Sequence, residues 1–163
     1  MVVVNITLIP ITITIASCML STWDGVFLGL IYGLTKLFVA YTTPQSVMDT
    51  LVFQNPSVTV LPKLAIGFIA SIVFHVSYKQ TKKLSLSAIL ASCLASLTNT
   101  TLTLLAMVIF TQEALLTIYH IQADFLLKIL LSIVITNGLP EMLANCIITP
   151  LVVKILWPKF KKH

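Results

Sequence analysis

The sequence contains little charge. Ten lysines and five acidic residues make up 9% of its 163 residues, whereas 58% are hydrophobic and the mean hydropathy is +1.03. A soluble domain of this length needs a far larger polar surface, because its core is only part of its volume. The composition therefore predicts a protein that is surrounded largely by lipid.

Motifs of common catalytic and metal sites are also missing. The chain has no GxxxxGK[ST] loop for ATP, no HExxH helix and no GxSxG turn. No two carboxylates are placed for acid–base catalysis. Its three cysteines lie in apolar runs without metal-ligand spacing or a disulfide framework, and His75 and His120 lack partners at metal spacing. We expect neither an enzyme, nor a metal site, nor a cofactor held by this chain.

Five apolar runs approach or exceed the length of about 20 residues that a membrane helix needs. They predict an all-α integral membrane protein that forms a single transmembrane domain over residues 1–163. The helices are expected at about 2–20, 25–41, 58–78, 84–111 and 126–157. Between them, STWD predicts a tight turn, residues 42–57 a longer loop with two prolines, and residues 112–125 a short interfacial helix.

Two lysine-rich segments, KQTKK at 79–83 and KFKKH at 159–163, predict the orientation. Positive charge concentrates on the cytoplasmic side of membrane proteins, so the C-terminus is expected in the cytoplasm and the connections 42–57 and 112–125 outside. This pattern does not resemble a nucleic-acid-binding face. Five helices then leave Met1 outside, which suggests that the sequence begins one helix late.

Polar residues interrupt the fourth and fifth helices. Asn99 lies near the middle of the fourth, while Asn137, Glu141 and Asn145 follow each other at intervals of four and so share one face of the fifth. A charge at this depth costs several kcal/mol unless it meets a partner, water or ligand. The pattern indicates a binding site. The alternative is a Glu141 that is neutralised by protonation or by an interhelical hydrogen bond.

Three isolated lysines, Lys36, Lys63 and Lys128, are expected in the outer half of the bundle. Together they would suit a ligand with a carboxylate, or one of them could pair with Glu141. Alternatively, each reaches the interface separately, with its ammonium group in water. We favour this alternative for Lys128, because nine residues from Asn137 place it on the opposite helix face.

Three glycines in GVFLGLIYG, namely Gly25, Gly29 and Gly33, repeat at intervals of four. Such spacing lets two helix backbones approach closely. The contact is equally compatible with internal packing and with docking on a partner subunit.

Four stretches resemble a known family when taken in order: GVFLGLIYGL, QNPSVTVLPKLAIGFIAS, SLTNTTLTLLAMVIF and TNGLPEMLANCIITPLVV. They look like parts of the substrate-binding S components of energy-coupling factor (ECF) transporters, over residues 5–157. The resemblance is closest to the branch that includes pantothenate and cobalamin S components. It implies a six-helix fold with both termini inside, of which this chain lacks the first helix or carries it displaced.

The resemblance also implies a function. The chain would bind a vitamin near the outer face and deliver it by docking on a membrane coupling protein that is driven by two cytosolic ATPases. Pantothenate is the expected vitamin, with cobalamin or folate as alternatives. Other classes stay open: a self-sufficient secondary carrier with Glu141 as its proton site, or a structural membrane subunit.

The expected site combines the polar residues above with the QNPS…LPK segment. Lys63 stands where many relatives have arginine, which keeps the charge but loses a bidentate fork. Substrate binding is predicted for Asn55, Lys63, Asn99, Asn137, Glu141 and Lys36, and partner docking for Gly25, Gly29 and Gly33.

Overall fold

A computed structural model describes residues 9–44, 46–119, 125, 128, 130–132 and 134–160. Within these ranges the chain is a helical bundle without strands, which confirms the all-α prediction. Its helices are α1 Ile9–Met19, α2 Thr22–Thr42, α3 Pro56–Thr59, α4 Leu61–Thr81, α5 Leu84–Tyr119 and α6 Leu139–Phe160. Two π-helical turns, Asp49–Phe53 and Val134–Gly138, precede α3 and α6.

Four helical stretches in the described part of the chain are long and apolar enough to cross a membrane. They are Thr22–Thr42, Pro56–Thr81, Leu84–Ile118 and Leu130–Pro158. The first predicted helix, 2–20, is described only over Ile9–Met19, and residues 1–8 lie outside the described ranges. The chain is a multi-pass membrane protein.

The α6 helix shows how this bundle is built for lipid. Large apolar side chains recur at every fourth position on its exposed face: Leu139, Leu143, Ile147, Leu151 and Ile155. The opposite face is fully buried and carries Asn145, Thr149 and Val153. Hydrocarbon does not penalise exposed leucine, whereas polar groups must find partners inside the protein.

Asn145 is the centre of a buried polar network. Its amide nitrogen donates to Ser96 Oγ at 2.9 Å and Thr14 Oγ1 at 3.3 Å, and its oxygen accepts from Thr149 Oγ1 at 2.6 Å. These bonds join α1, α5 and α6. Because every polar atom of the amide has a partner, the network fixes how the three helices pack.

The glycines of α2 pack against α4 of the same chain. A Cβ at Gly29 would overlap the backbone carbonyl of Lys63, and one at Gly33 would lie 2.9 Å from Val60 Cα. A Cβ at Gly67 would overlap the backbone carbonyl of Gly25, and one at Gly25 would overlap the Ser17 side chain on α1. The three glycines are buried in an internal contact, which is one of the two possibilities that their spacing left open, and a role in partner docking stays a prediction.

Helix α5 continues beyond its predicted end at residue 111. At Thr111 the backbone leaves helical geometry (φ −136°, ψ 24°), and the Thr111 hydroxyl donates to the Met107 carbonyl at 2.9 Å. Such a bond competes with the backbone ladder and often bends a helix. The chain then resumes its helix to Tyr119, so much of the predicted 112–125 segment is part of α5, while residues 120–124 lie outside the described ranges.

Candidate functional site

Lys63 brings the first two elements of the site together. It lies in the first turn of α4, and its Nζ donates to Asn99 Oδ1 on α5 at 2.9 Å. Asn99 is only 8% exposed, and Lys63 is partly buried. The sequence pattern predicted Lys63 in the outer half of the bundle and Asn99 near the middle of its helix. The structure adds the direct bond between the ammonium and the amide oxygen.

The packing of α6 on α5 places Glu141 beside this pair. Gly138 approaches Thr100, since a Cβ there would lie 3.3 Å from Thr100 Cγ2, and Asn145 bonds Ser96 one turn further along. Glu141 falls between these two contacts on the same face of α6 and is partly buried. It is close enough to Lys63 to act on it electrostatically.

Lys36 has a different partner from the one expected. Its Nζ lies 3.1 Å from Asp49 Oδ1 and 5.3 Å from the centre of the Phe53 ring. Both partners belong to the α2–α4 connection, residues 43–60. In this structure the Lys36 ammonium group holds the connection to α2, and its role in substrate binding stays a prediction. Sequence spacing did not reveal Asp49, since the π-helical turn that aims it at Lys36 has no simple signature.

Further bonds attach the α2–α4 connection to the end of α2. Tyr41 donates from its hydroxyl to the Gln54 carbonyl at 3.0 Å, and the Gln54 side chain donates to the Ala40 carbonyl at 3.1 Å. The described residues of the connection are thus held against the end of α2.

Asn55 has a local structural role. Its side-chain oxygen accepts from the Ser57 backbone at 3.0 Å and so caps α3. It also borders an open groove of about 510 Å³ that Leu51 and the kinked part of α5 around Thr111 line. The side-chain oxygen of Asn55 is thus used in the cap, and its role in substrate binding stays a prediction.

Two further positions from the sequence analysis are not among the residues that define this site. The side chain of Asn137 lies outside the described part of the structure, so its binding role stays a prediction. Lys128 is exposed, with its Nζ 5.2 Å from the centre of the Phe125 ring. This position agrees with a lysine that reaches the interface separately.

The described site therefore combines an ammonium from α4, an amide from α5 and a carboxylate from α6. Lys63 can donate to an anion, and the Asn99 amide can both donate and accept. Apolar side chains form the surrounding bundle. These three kinds of polar group together can hydrogen-bond a small polar ligand.

Comparison with known families agrees with this geometry. The family model for the substrate-specific component of ECF transporters matches residues 1–153. The chain belongs to this family. The resemblance seen in four sequence stretches is confirmed, and with it the prediction of a transport protein.

One curated relative of this substrate-specific component is the pantothenate transporter PanT of Leuconostoc mesenteroides subsp. mesenteroides. The two are 36% identical over 69 residues. The aligned segment covers 42% of this chain and 33% of the relative, so the match spans about a third of the curated protein.

Proposed function

We propose that this S component binds pantothenate in the bundle between α4, α5 and α6. The observation that carries the proposal is the contact of Lys63 with Asn99 at 2.9 Å beside Glu141. Membership of the family supports substrate binding in general. The relative named as a pantothenate transporter supports this particular vitamin.

Pantothenate carries a carboxylate, an amide and two hydroxyl groups. In the proposed complex Lys63 turns from Asn99 to the carboxylate, because the ammonium group is attracted more strongly by an opposite charge than by a neutral amide oxygen. Asn99 then bonds the ligand's amide or hydroxyl groups. The apolar wall accommodates the carbon skeleton.

Delivery of the vitamin is proposed to need the other parts of an ECF transporter. The chain would dock on a membrane coupling protein, and two ATPases would drive delivery by hydrolysing ATP. The chain itself is proposed to hold no cofactor. Its exposed apolar faces are available to lipid and to the coupling protein.

A binding panel tests the ligand. The purified chain in detergent should bind pantothenate with a measurable affinity in isothermal titration, and cobalamin and folate should bind far more weakly. Preferred binding of either of these two would contradict the assignment. Proton-coupled pantothenate uptake by the chain alone in liposomes would instead favour a self-sufficient carrier.

Cysteine labelling tests the proposed orientation. Lys82 follows the last turn of α4, and Thr43 follows the last turn of α2, so the two positions lie at opposite ends of the bundle. In a background free of native cysteines, an impermeant maleimide in intact cells should label Thr43→Cys and spare Lys82→Cys. The reverse pattern would place the C-terminus outside.

A further inference from the structure

The described charges around Lys63 nearly balance before any ligand arrives. In their ionised forms Lys63 contributes one positive charge and Glu141 one negative charge. Lys36, which also acts on Lys63 electrostatically, is neutralised by Asp49 at 3.1 Å. A ligand carboxylate therefore enters a site that already holds a carboxylate.

The position of Glu141 keeps it near any anion bound by Lys63. Two contacts, one on either side of Glu141, fix the position of α6 along α5. They join Gly138 to Thr100 and Asn145 to Ser96. Asn99 lies within this stretch of α5 and already bonds Lys63. Glu141 therefore lies close to the group that would receive the ligand's charge.

We infer that Glu141 is a specificity-determining residue that limits the negative charge of the ligand. The inference rests on the proposed function. Like charges repel strongly where little water screens them, so Glu141 weakens the binding of a monocarboxylate and excludes ligands with two or more negative charges. Phosphate esters of the same vitamin belong to the excluded class.

Glu141 also has a role in the protein without ligand, where its negative charge compensates the positive charge of Lys63. Without Glu141, the ammonium of Lys63 would stand in an apolar bundle with only a neutral amide as its described partner. An uncompensated buried charge is strongly destabilising. Glu141 stabilises the empty protein and, by the same charge, sets a limit on what can bind.

The test compares Glu141→Gln with the wild type on three probes. These are pantothenate, the alcohol in which CH₂OH replaces its carboxylate, and its monophosphate ester. We expect the affinity ratio of pantothenate to the alcohol to rise at least tenfold in the variant, which corresponds to about 1.4 kcal/mol. Binding of the monophosphate should become measurable. Glu113→Gln, at the surface groove, should leave the ratio within twofold of the wild type.

Each other result overturns the inference. An unchanged ratio means that Glu141 is uncharged or distant, and a reduced ratio means that it supports the ligand's carboxylate. Glu141→Asn gives a second neutral variant if the glutamine variant is not monodisperse. If Lys63→Met lowers the affinity for pantothenate and the ratio still does not rise, only the inference fails. If the wild type binds neither pantothenate nor the alcohol, the proposed function fails and the inference falls with it.

Discussion

Lys63→Met should weaken pantothenate binding at least tenfold, or about 1.4 kcal/mol. Methionine retains an apolar side chain of similar length but cannot donate to the carboxylate. Binding of the alcohol analogue should change less, since that ligand has no carboxylate for Lys63 to bind. Isothermal titration of both ligands on detergent-purified protein measures the two effects.

Asn99→Leu should produce a loss of similar size for both ligands. Leucine preserves apolar bulk while removing the amide that is proposed to meet the hydroxyl or amide groups. Lys79→Met is the matched control for lysine removal, because Lys79 is exposed at the far end of α4. Wild-type affinity in folded Lys63→Met and Asn99→Leu proteins would show that the ligand binds elsewhere.

Gly29→Leu should abolish the folded state, the largest effect on stability that we expect from a single substitution in α2. Any side chain at Gly29 meets the backbone carbonyl of Lys63, and backbone atoms cannot rotate away as a flexible side chain can. The helices would have to separate, which costs the packing of α2 on α4 along its length. Gel filtration in detergent should show aggregated rather than monodisperse protein.

Two alanine variants test whether the close helix contact at Gly29 accounts for the expected loss of stability. Gly29→Ala should lower the midpoint of thermal unfolding despite the better helix propensity of alanine. Gly138→Ala is the control, because its new methyl group would lie 3.3 Å from side-chain atoms of Thr100, which can adjust. Equal midpoints for the two alanine variants would contradict the close-contact explanation.

Sequence patterns predicted the helical bundle because lipid imposes a simple rule on composition. An apolar run of sufficient length can satisfy its backbone groups in hydrocarbon only as a helix or within a closed barrel. The ends of the helices were less predictable. The continuation of α5 past Thr111 depends on how its last turns pack on Val52 and Val58, and this long-range contact leaves no periodic signal.

The candidate site was also predictable in part, because lipid makes polar residues rare in membrane helices. Lys63, Asn99 and Glu141 are conspicuous because polar groups are rare in apolar helices. Their mutual arrangement could not be deduced, since it depends on how the helices rotate against each other. Lys36 and Asn55 show the limit: each is equally conspicuous, yet their partners are Asp49 and the Ser57 backbone.

The α2–α4 connection is attached by polar contacts to α2 and by apolar packing on α5, and the unequal strength of these two kinds of attachment affects how long a ligand would stay bound. Its ion pair involves Lys36, which is 40% exposed, and partly hydrated pairs contribute about 0–1 kcal/mol. Its underside buries Val52 and Val58 against α5, and each buried valine contributes about 1.5–3 kcal/mol. Water can replace the first attachment but not the second. The residence time of a ligand beneath this connection would therefore depend on two valines more than on the salt bridge above them.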